Sequence, residues 1–177
     1  PGLSALMKIT GLSDKKRLGG EDIGFTIAPR LNAAGRLGQA PLAVELLTTD
    51  DPARAKSLAD YLHELNKSRE SIERSVYLAA NKQAQAQLDA GSHNALVLAG
   101  TGWHKGVIGI VAGRLAEKYH CPVLVASLDE MGVQPGVGSG RSVPGFNLAQ
   151  ALEACDPFLL GHGGHAAAAG FQCATEN

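Results

Sequence analysis

The sequence predicts an α/β fold: a long connecting helix, then a compact domain whose central mixed β-sheet is flanked by helices. Three observations carry this. Apolar residues recur at spacings of three and four between Pro52 and Gly91, with no Gly or Pro to interrupt them. After Gly91 the pattern changes to strand, helix, strand. The glycines cluster at 100–113, 132–145 and 161–170, where they mark tight connections rather than low-complexity filler.

The elements follow in order. LSALMKIT (3–10) reads as a short helix that ends at Gly11. Asp22 and the stretch 24–27 lead into PRLNAAGRLG (29–38), read as a loop or short helical turn. Pro41 opens a helical turn through Leu47, because proline suits a first helical position. Asp50-Asp51-Pro52 is a second helix start, an acidic cap followed by proline. Ala55, Leu58, Leu62, Leu65, Ile72, Val76 and Ala79 then form one stripe. At 1.5 Å per residue such a helix spans roughly 55 Å. It either packs along its own domain or connects two domains. The polar far end NKQAQAQ (81–87) favours the connector.

ALVLAG (95–100) is a buried strand, GVIGIVAGRLAEKYH (106–120) a helix and PVLVAS (122–127) a second buried strand. That order implies a parallel pair joined by a crossover helix. GVGSGRS (136–142) reads as a glycine-rich strand, FNLAQALEAC (146–155) as a short helix and GFQCAT (170–175) as a final strand. The segments divide at 1–48, 49–90 and 91–177.

Composition narrows the function. With 177 residues, 45% of them hydrophobic, the chain suits one ordinary domain plus an appended segment. A formal net charge of -1 excludes a whole-surface nucleic-acid binder, so any such contact needs a local cationic patch. Cys121, Cys155 and Cys173 are widely spaced with no C-x-x-C, which fits reduced thiols and a cytoplasmic location. No apolar run approaches the roughly 20 residues that cross a bilayer, and no signal peptide is visible. The start at Pro1, without an initiator Met, suggests a piece of something longer.

Four motifs hold the candidate chemistry. GTGWHKGVIGI (100–110) lies between a strand and a helix, where ligands of α/β sheets bind. Trp103 and His104 are candidates there, or they merely close the loop; the glycines do not match a dinucleotide fingerprint. GSGRS (138–142) offers Ser139, Arg141 and Ser142 between glycines. Strand alternation sends Ser139 and Arg141 to one face, as in a phosphate clamp, or as on an ordinary polar edge strand. PRLNAAGR (29–36) brings Arg30, Asn32 and Arg36 together without a nearby carboxylate, as an anion patch or as surface arginines.

GHGGHAAAAGF (161–171) sets His162 and His165 three apart. That spacing can serve a metal on a helix. The intervening Gly163 and Gly164 disfavour a helix there, and no third ligand is close in sequence. The following alanines favour a helix. Gly163 and Gly164 are therefore expected at a helix N-terminus, seating an anion with His165 as a donor. The other reading is a packing turn with an exposed histidine.

IAPRLNAAGRLG (27–38), LADYLHELNKSRE (58–70), GWHKGVIGIVAGRLAEKY (102–119), GSGRSVPGFNLAQAL (138–152) and GHGGHAAAAGF (161–171) together resemble the single-strand-specific exonuclease branch of the DHH phosphoesterase family. The motifs span nearly the whole chain. GGH alone indicates only the wider DHH-associated domain, which also occurs in oligonucleotide and cyclic-dinucleotide phosphodiesterases and in alanyl-tRNA synthetase.

The resemblance implies that 1–48 is the end of the DHH side and its linker, 49–90 the connecting helix and 91–177 the DHH-associated substrate-binding domain. It implies 5′-to-3′ hydrolysis of single-stranded DNA, in repair and recombination, with two Mn2+ or Mg2+ ions held by a DHH domain in cis. No Asp-His-His triplet exists in this sequence, so those ligands are expected before Pro1, with no metal and no catalytic residue in this segment. By the same resemblance, Ser139 and Arg141 grip the 5′-terminal phosphate, Ser142 is a further phosphate or DNA contact, and Gly163, Gly164 and His165 lie at the phosphate near the metals. Arg30, Asn32 and Arg36 line the DNA path, and Trp103 and His104 shape the cleft. Two alternatives stay open: a module of a small-nucleotide phosphodiesterase of the same family, or a non-catalytic nucleic-acid-binding module.

Overall fold

The structure of the protein, a computed structural model, describes residues 1–91 and 94–174. Its helices are α1 (Gly2–Ile9), α2 (Ala28–Arg36), α3 (Ala40–Thr48), α4 (Pro52–Asp89), α5 (Lys105–Tyr119) and α6 (Leu148–Ala154). Its strands are β1 (Leu96–Thr101), β2 (Val123–Leu128), β3 (Gly136–Arg141), β4 (Leu159–Gly164) and β5 (Ala168–Cys173). The chain forms two compact units, Pro1–Ser71 and Ile72–Asn177.

In the first unit, α1, α2, α3 and the start of α4 surround a core that includes Leu6, Ala34, Leu46, Leu58 and Leu62. The segment expected as a loop or single turn at 29–38 is a regular helix, preceded by a π-helical stretch, Asp22–Ile27. Buried Ala33 and Ala34 give it an apolar face among its Arg, Asn and Gly residues. Asp51 caps α4 as expected: its Oδ1 accepts from the Ala53 N–H at 2.9 Å.

The 38 residues of α4 reach about 57 Å at 1.5 Å per residue. Ala55, Leu58, Ala59 and Leu62 belong to the first unit's core, and Val76, Ala80 and Ala84 to the second's. The stripe turns one residue from the expected line, since Ala80 is buried and Ala79 exposed. After Val76 the buried positions step by four, which follows a 3.6-residue turn less closely than mixed steps of three and four.

The second unit is a five-stranded mixed sheet in the order β1-β2-β3-β5-β4. Strands β1 and β2 are parallel, joined by α5, and the remaining pairs are antiparallel. Helix α5 packs on β2 and β3, and α6 on β4 and β5. Val107, Ile108, Val111 and Leu115 of α5 meet Leu96, Leu98, Val123 and Val125 in the core. On the α6 side, Leu148, Leu152, Ala169 and Phe171 form a smaller cluster.

Strand β1 is a sheet edge, and α4 covers it with side chains. Gln83 Nε2 donates to the Ala99 carbonyl at 2.8 Å, and its Oε1 accepts from Ala99 N–H at 3.1 Å. Gln87 does the same for Val97, at 2.6 and 3.3 Å. Four helical residues rise about 6 Å and two strand residues about 6.6 Å, so the two periods match. The glutamines thus occupy edge groups that would otherwise invite another strand.

The last expected element needs a correction. The alanines of GHGGHAAAAGF do not start a helix. Gly163 and Gly164 end β4, and Ala168 and Ala169 begin β5. A tight turn joins them, closed by His165 N–H to Ala168 O at 2.8 Å and Ala168 N–H to His165 O at 3.2 Å. Four alanines cannot offset the cost of helix nucleation, whereas six strand residues gain a ladder on both sides, with β3 and with β4. Thr175, the end of the expected final strand, lies outside the described residues.

Candidate phosphate-binding site

With no helix after Gly163 and Gly164, no helix dipole is there to seat an anion. A different surface takes that place. Residues paired directly in an antiparallel ladder share a face. Ser139 pairs with Gly170 and Arg141 with Ala168, while Gly163 pairs with Gly170. All five therefore lie on one face, the α5 side: a methyl group at Gly109 of α5 would meet Ser139 Oγ and Arg141 Nη2. Beyond α5, this face is a floor of glycine and alanine. A methyl group at Gly163 would meet nothing within 4 Å.

Ser139 and Arg141 border that floor. Arg141 Nη1 donates to Ser139 Oγ at 3.1 Å and to the Gly140 carbonyl at 2.8 Å. Among the described residues Arg141 makes no ion pair. It is a half-buried cation whose charge no carboxylate neutralises among those residues. A guanidinium beside a hydroxyl and bare backbone suits a phosphate monoester. A pocket of about 360 Å³ adjoins it, lined by Gly113, Glu117, His120, Arg141, Ser142 and Pro144.

Ser142 follows β3, and its hydroxyl donates to the Phe146 carbonyl at 2.8 Å. Its N–H reaches the Ala167 carbonyl at 2.9 Å, which ties the β4–β5 turn to the end of β3. The Leu148 N–H of α6 bonds the Ala166 carbonyl at 3.0 Å. His165 is thus an exposed side chain on a firmly anchored turn. It stands at the Arg141 end of the sheet, one residue beyond Gly164 and level with the Arg141–Ala168 pair.

Gly164 has φ 147°, a region that effectively excludes residues with a Cβ. That conformation sets the geometry of the hairpin. His162 Nε2 lies 3.2 Å from Asp156 Oδ1, and both line a pocket of about 530 Å³ with Gln150, Glu153, Gly163 and Gly164.

Trp103 and His104 stand apart from this group. They follow the C-terminal end of β1, whereas Arg141 pairs with Val123 at the start of parallel β2. The two groups therefore occupy opposite ends of the sheet. The Trp103 ring lies over Gly100, where a methyl group would come within 2.2 Å of Cε2. Its carbonyl accepts the Ser127 hydroxyl. His104 caps α5: its Nδ1 accepts from Gly106 N–H at 3.0 Å. Both side chains build the strand-to-helix turn.

Helix geometry also divides Arg30, Asn32 and Arg36. Asn32 and Arg36 are four apart and share an exposed face of α2. Arg30 lies on another face, where Nε donates to His63 Nδ1 at 3.1 Å and Nη1 to the Thr26 carbonyl. The first unit's pocket of about 510 Å³, near Lys8, Pro52 and Lys56, includes none of the candidate residues. Ala168 and Gly170, missed by the sequence reading, complete the floor. Their signal was small size alternating along a strand, which a helix reading of the alanines concealed.

Among the described residues, no group of three or more His, Cys, Asp or Glu side chains is placed to hold a metal ion. Among the same residues, no helix is long and apolar enough to cross a membrane.

Residues 92–177 match the family model of the DHHA1 domain, and the second unit carries that domain. The similarity extends further. The chain is 39% identical over 179 residues to the single-stranded-DNA-specific exonuclease RecJ of Bacillus subtilis, covering 99% of this chain and 22% of that protein. It is 37% identical over 180 residues to RecJ of Escherichia coli, covering 96% and 30%. The crystal structure of RecJ from Thermus thermophilus in complex with Mn2+ superposes with a TM-score of 0.82 at 37% identity, covering 97% of this chain and 24% of that one. The chain belongs to the RecJ family, and spans less than a third of the length of these relatives.

Proposed function

We propose that this chain is the strand-gripping part of a 5′-to-3′ exonuclease of single-stranded DNA that acts in DNA repair and recombination. The observation that carries it is Arg141: a half-buried guanidinium beside Ser139 Oγ, without an ion pair among the described residues, next to a bare floor. In this reading Ser139 and Arg141 hold the 5′-terminal phosphate, and Ser142 secures the loop beside them. Gly163, Gly170 and Ala168 let a sugar-phosphate backbone lie close. His165 donates to a phosphate from the anchored turn. Asn32 and Arg36 contact the strand elsewhere, and Arg30 steadies their helix. Trp103 and His104 take a supporting role.

The RecJ relatives named for single-stranded DNA, and those solved with Mg2+ or Mn2+, support this reading. The described residues do not fit a metal, so the reading assigns Mn2+ or Mg2+ to a DHH domain in cis and confines this chain to binding. The segments 49–90 and 91–177 then serve as connector and substrate-binding domain, with 1–48 on the DHH side. The free thiols Cys121, Cys155 and Cys173 support a cytoplasmic setting.

The test uses a protein that holds this chain together with its DHH domain. Arg141→Ala should weaken the preference for 5′-phosphorylated over 5′-hydroxyl single strands by about tenfold or more, the scale of a lost charge-assisted bond. Equal loss on both ends would sink the clamp. The chain alone should leave single strands intact with Mn2+, and bind them weakly with strong salt dependence. Robust Mn2+-dependent digestion by the chain alone would overturn the division of labour.

A further inference from the structure

We propose that Gly109 is a positioning residue for Ser139 and Arg141: its missing side chain sets where the hydroxyl and the guanidinium sit. The inference rests on the phosphate reading above. Gly109 lies inside α5, where glycine is an unfavourable choice and alanine the best. Something must exclude a side chain there, and the neighbours identify it. A methyl group at Gly109 would stand 2.9 Å from Ser139 Oγ, 3.2 Å from Arg141 Nη2 and 3.6 Å from Ser139 Cβ. The crowded atoms are the polar tips of the clamp, rather than the apolar core.

Gly113, one turn further along α5, is the internal contrast. A methyl group there would meet Arg141 Cγ at 3.8 Å, an ordinary contact. Both glycines face β3, and both would gain the same helix propensity as alanine. Only Gly109 holds space for the polar ends. A side chain at Gly109 forces one of two movements. The Ser139 hydroxyl rotates, breaking its 3.1 Å bond from Arg141 Nη1, or α5 lifts from β3. The first leaves the guanidinium tied by the Gly140 carbonyl bond alone; the second withdraws the helix face against which Ser139 Oγ and Arg141 Nη2 are set.

The experiment measures binding of 5′-phosphorylated and 5′-hydroxyl oligothymidylate by fluorescence anisotropy, in the protein that holds this chain and its DHH domain. The ratio of the two dissociation constants is the readout, because a general loss of packing weakens both ligands alike. Arg141→Ala should bring the ratio near one. Gly109→Ala should lower it by about tenfold, as expected when a charge-assisted bond is misaligned. Gly113→Ala, whose methyl group makes only an ordinary contact, is the stability control: it should melt at or above the wild-type temperature, whereas Gly109→Ala should melt below it.

A wild-type ratio with Gly109→Ala, alongside a collapsed ratio with Arg141→Ala, overturns the positioning role and leaves the phosphate reading standing. Ratios that are alike in wild type and Arg141→Ala overturn the phosphate reading itself. Thermal melting accompanies each variant. If Gly109→Ala is too unstable to bind, the double variant Gly109→Ala/Ser139→Ala carries the test, because the crowded hydroxyl is gone. Recovery of melting temperature in the double variant supports the inference, and no recovery overturns it.

Discussion

Two adjacent glycines should respond in opposite ways to the same substitution. At Gly164, a methyl group would lie 2.4 Å from the Ala168 carbonyl oxygen and 2.5 Å from Ala169 Cα. These are backbone atoms of the partner strand, so no side chain can swing aside. The φ of 147° adds strain for any L residue. Strain of this kind costs about 1–3 kcal/mol. Forcing atoms into a filled space costs about 1–3 kcal/mol more. Gly164→Ala should therefore destabilise by about 2–6 kcal/mol, against a whole-domain stability of about 5–15 kcal/mol. At roughly 4 °C per kcal/mol for a domain of about 100 residues, the melting point falls by about 8–24 °C.

At Gly163 nothing lies within 4 Å and φ is not positive. Gly163→Ala should hold or raise stability by about 0.4–1 kcal/mol, through lost freedom of the unfolded chain. Its methyl group would instead stand on the open floor and weaken single-strand binding. Circular dichroism melting and urea denaturation of both variants give the comparison. The reasoning is refuted if the two variants melt together, or if Gly163→Ala is the less stable.

Gln83→Ala with Gln87→Ala removes four hydrogen bonds from the β1 edge. Each bond has a net worth near 1 kcal/mol when buried and less when exposed, so a total of about 1–3 kcal/mol is expected. Hydrogen exchange at Val97 and Ala99 should accelerate, and unchanged protection would count against the capping role. The carboxylate of Asp129 is held below its usual range because the Val133 and Gln134 backbone N–H groups donate to it. A lowered acid stabilises the folded turn above its ordinary pKa, and that stability is lost as pH falls through the lowered value. Amide shifts of Val133 and Gln134 should therefore titrate below the ordinary carboxylate range; titration at the ordinary value would remove the argument.

Local chemistry made much of this fold legible. Asp51 before Pro52 announced α4, and apolar runs flanking GVIGIVAG announced the parallel β1–β2 pair with its crossover. Period-two alternation alone set Ser139 and Arg141 on one face. Where the reading failed, distant partners decided. PRLNAAGR is a helix because Ala34 has a core to enter and Ala33 is buried beside it. AAAA is half turn and half strand because β3 and β4 offer a ladder on each side.

The same division runs through the site. Which residues carry phosphate-like chemistry is written in the sequence, because a guanidinium, a hydroxyl and bare glycine are properties of residue types. Which of them meet is not. Trp103 and His104 fall at the far end of the sheet from Arg141, and Arg30 turns to His63, away from Asn32 and Arg36. Gly109 reads as a packing glycine until β3 is laid against α5 and the atoms it spares prove to be Ser139 Oγ and Arg141 Nη2. Sequence alone determined the periods, the caps and the chemical inventory, since these depend on neighbours within a few residues. Only the tertiary structure decided who stands beside whom, because strand pairing and helix packing join residues that the chain keeps tens of positions apart.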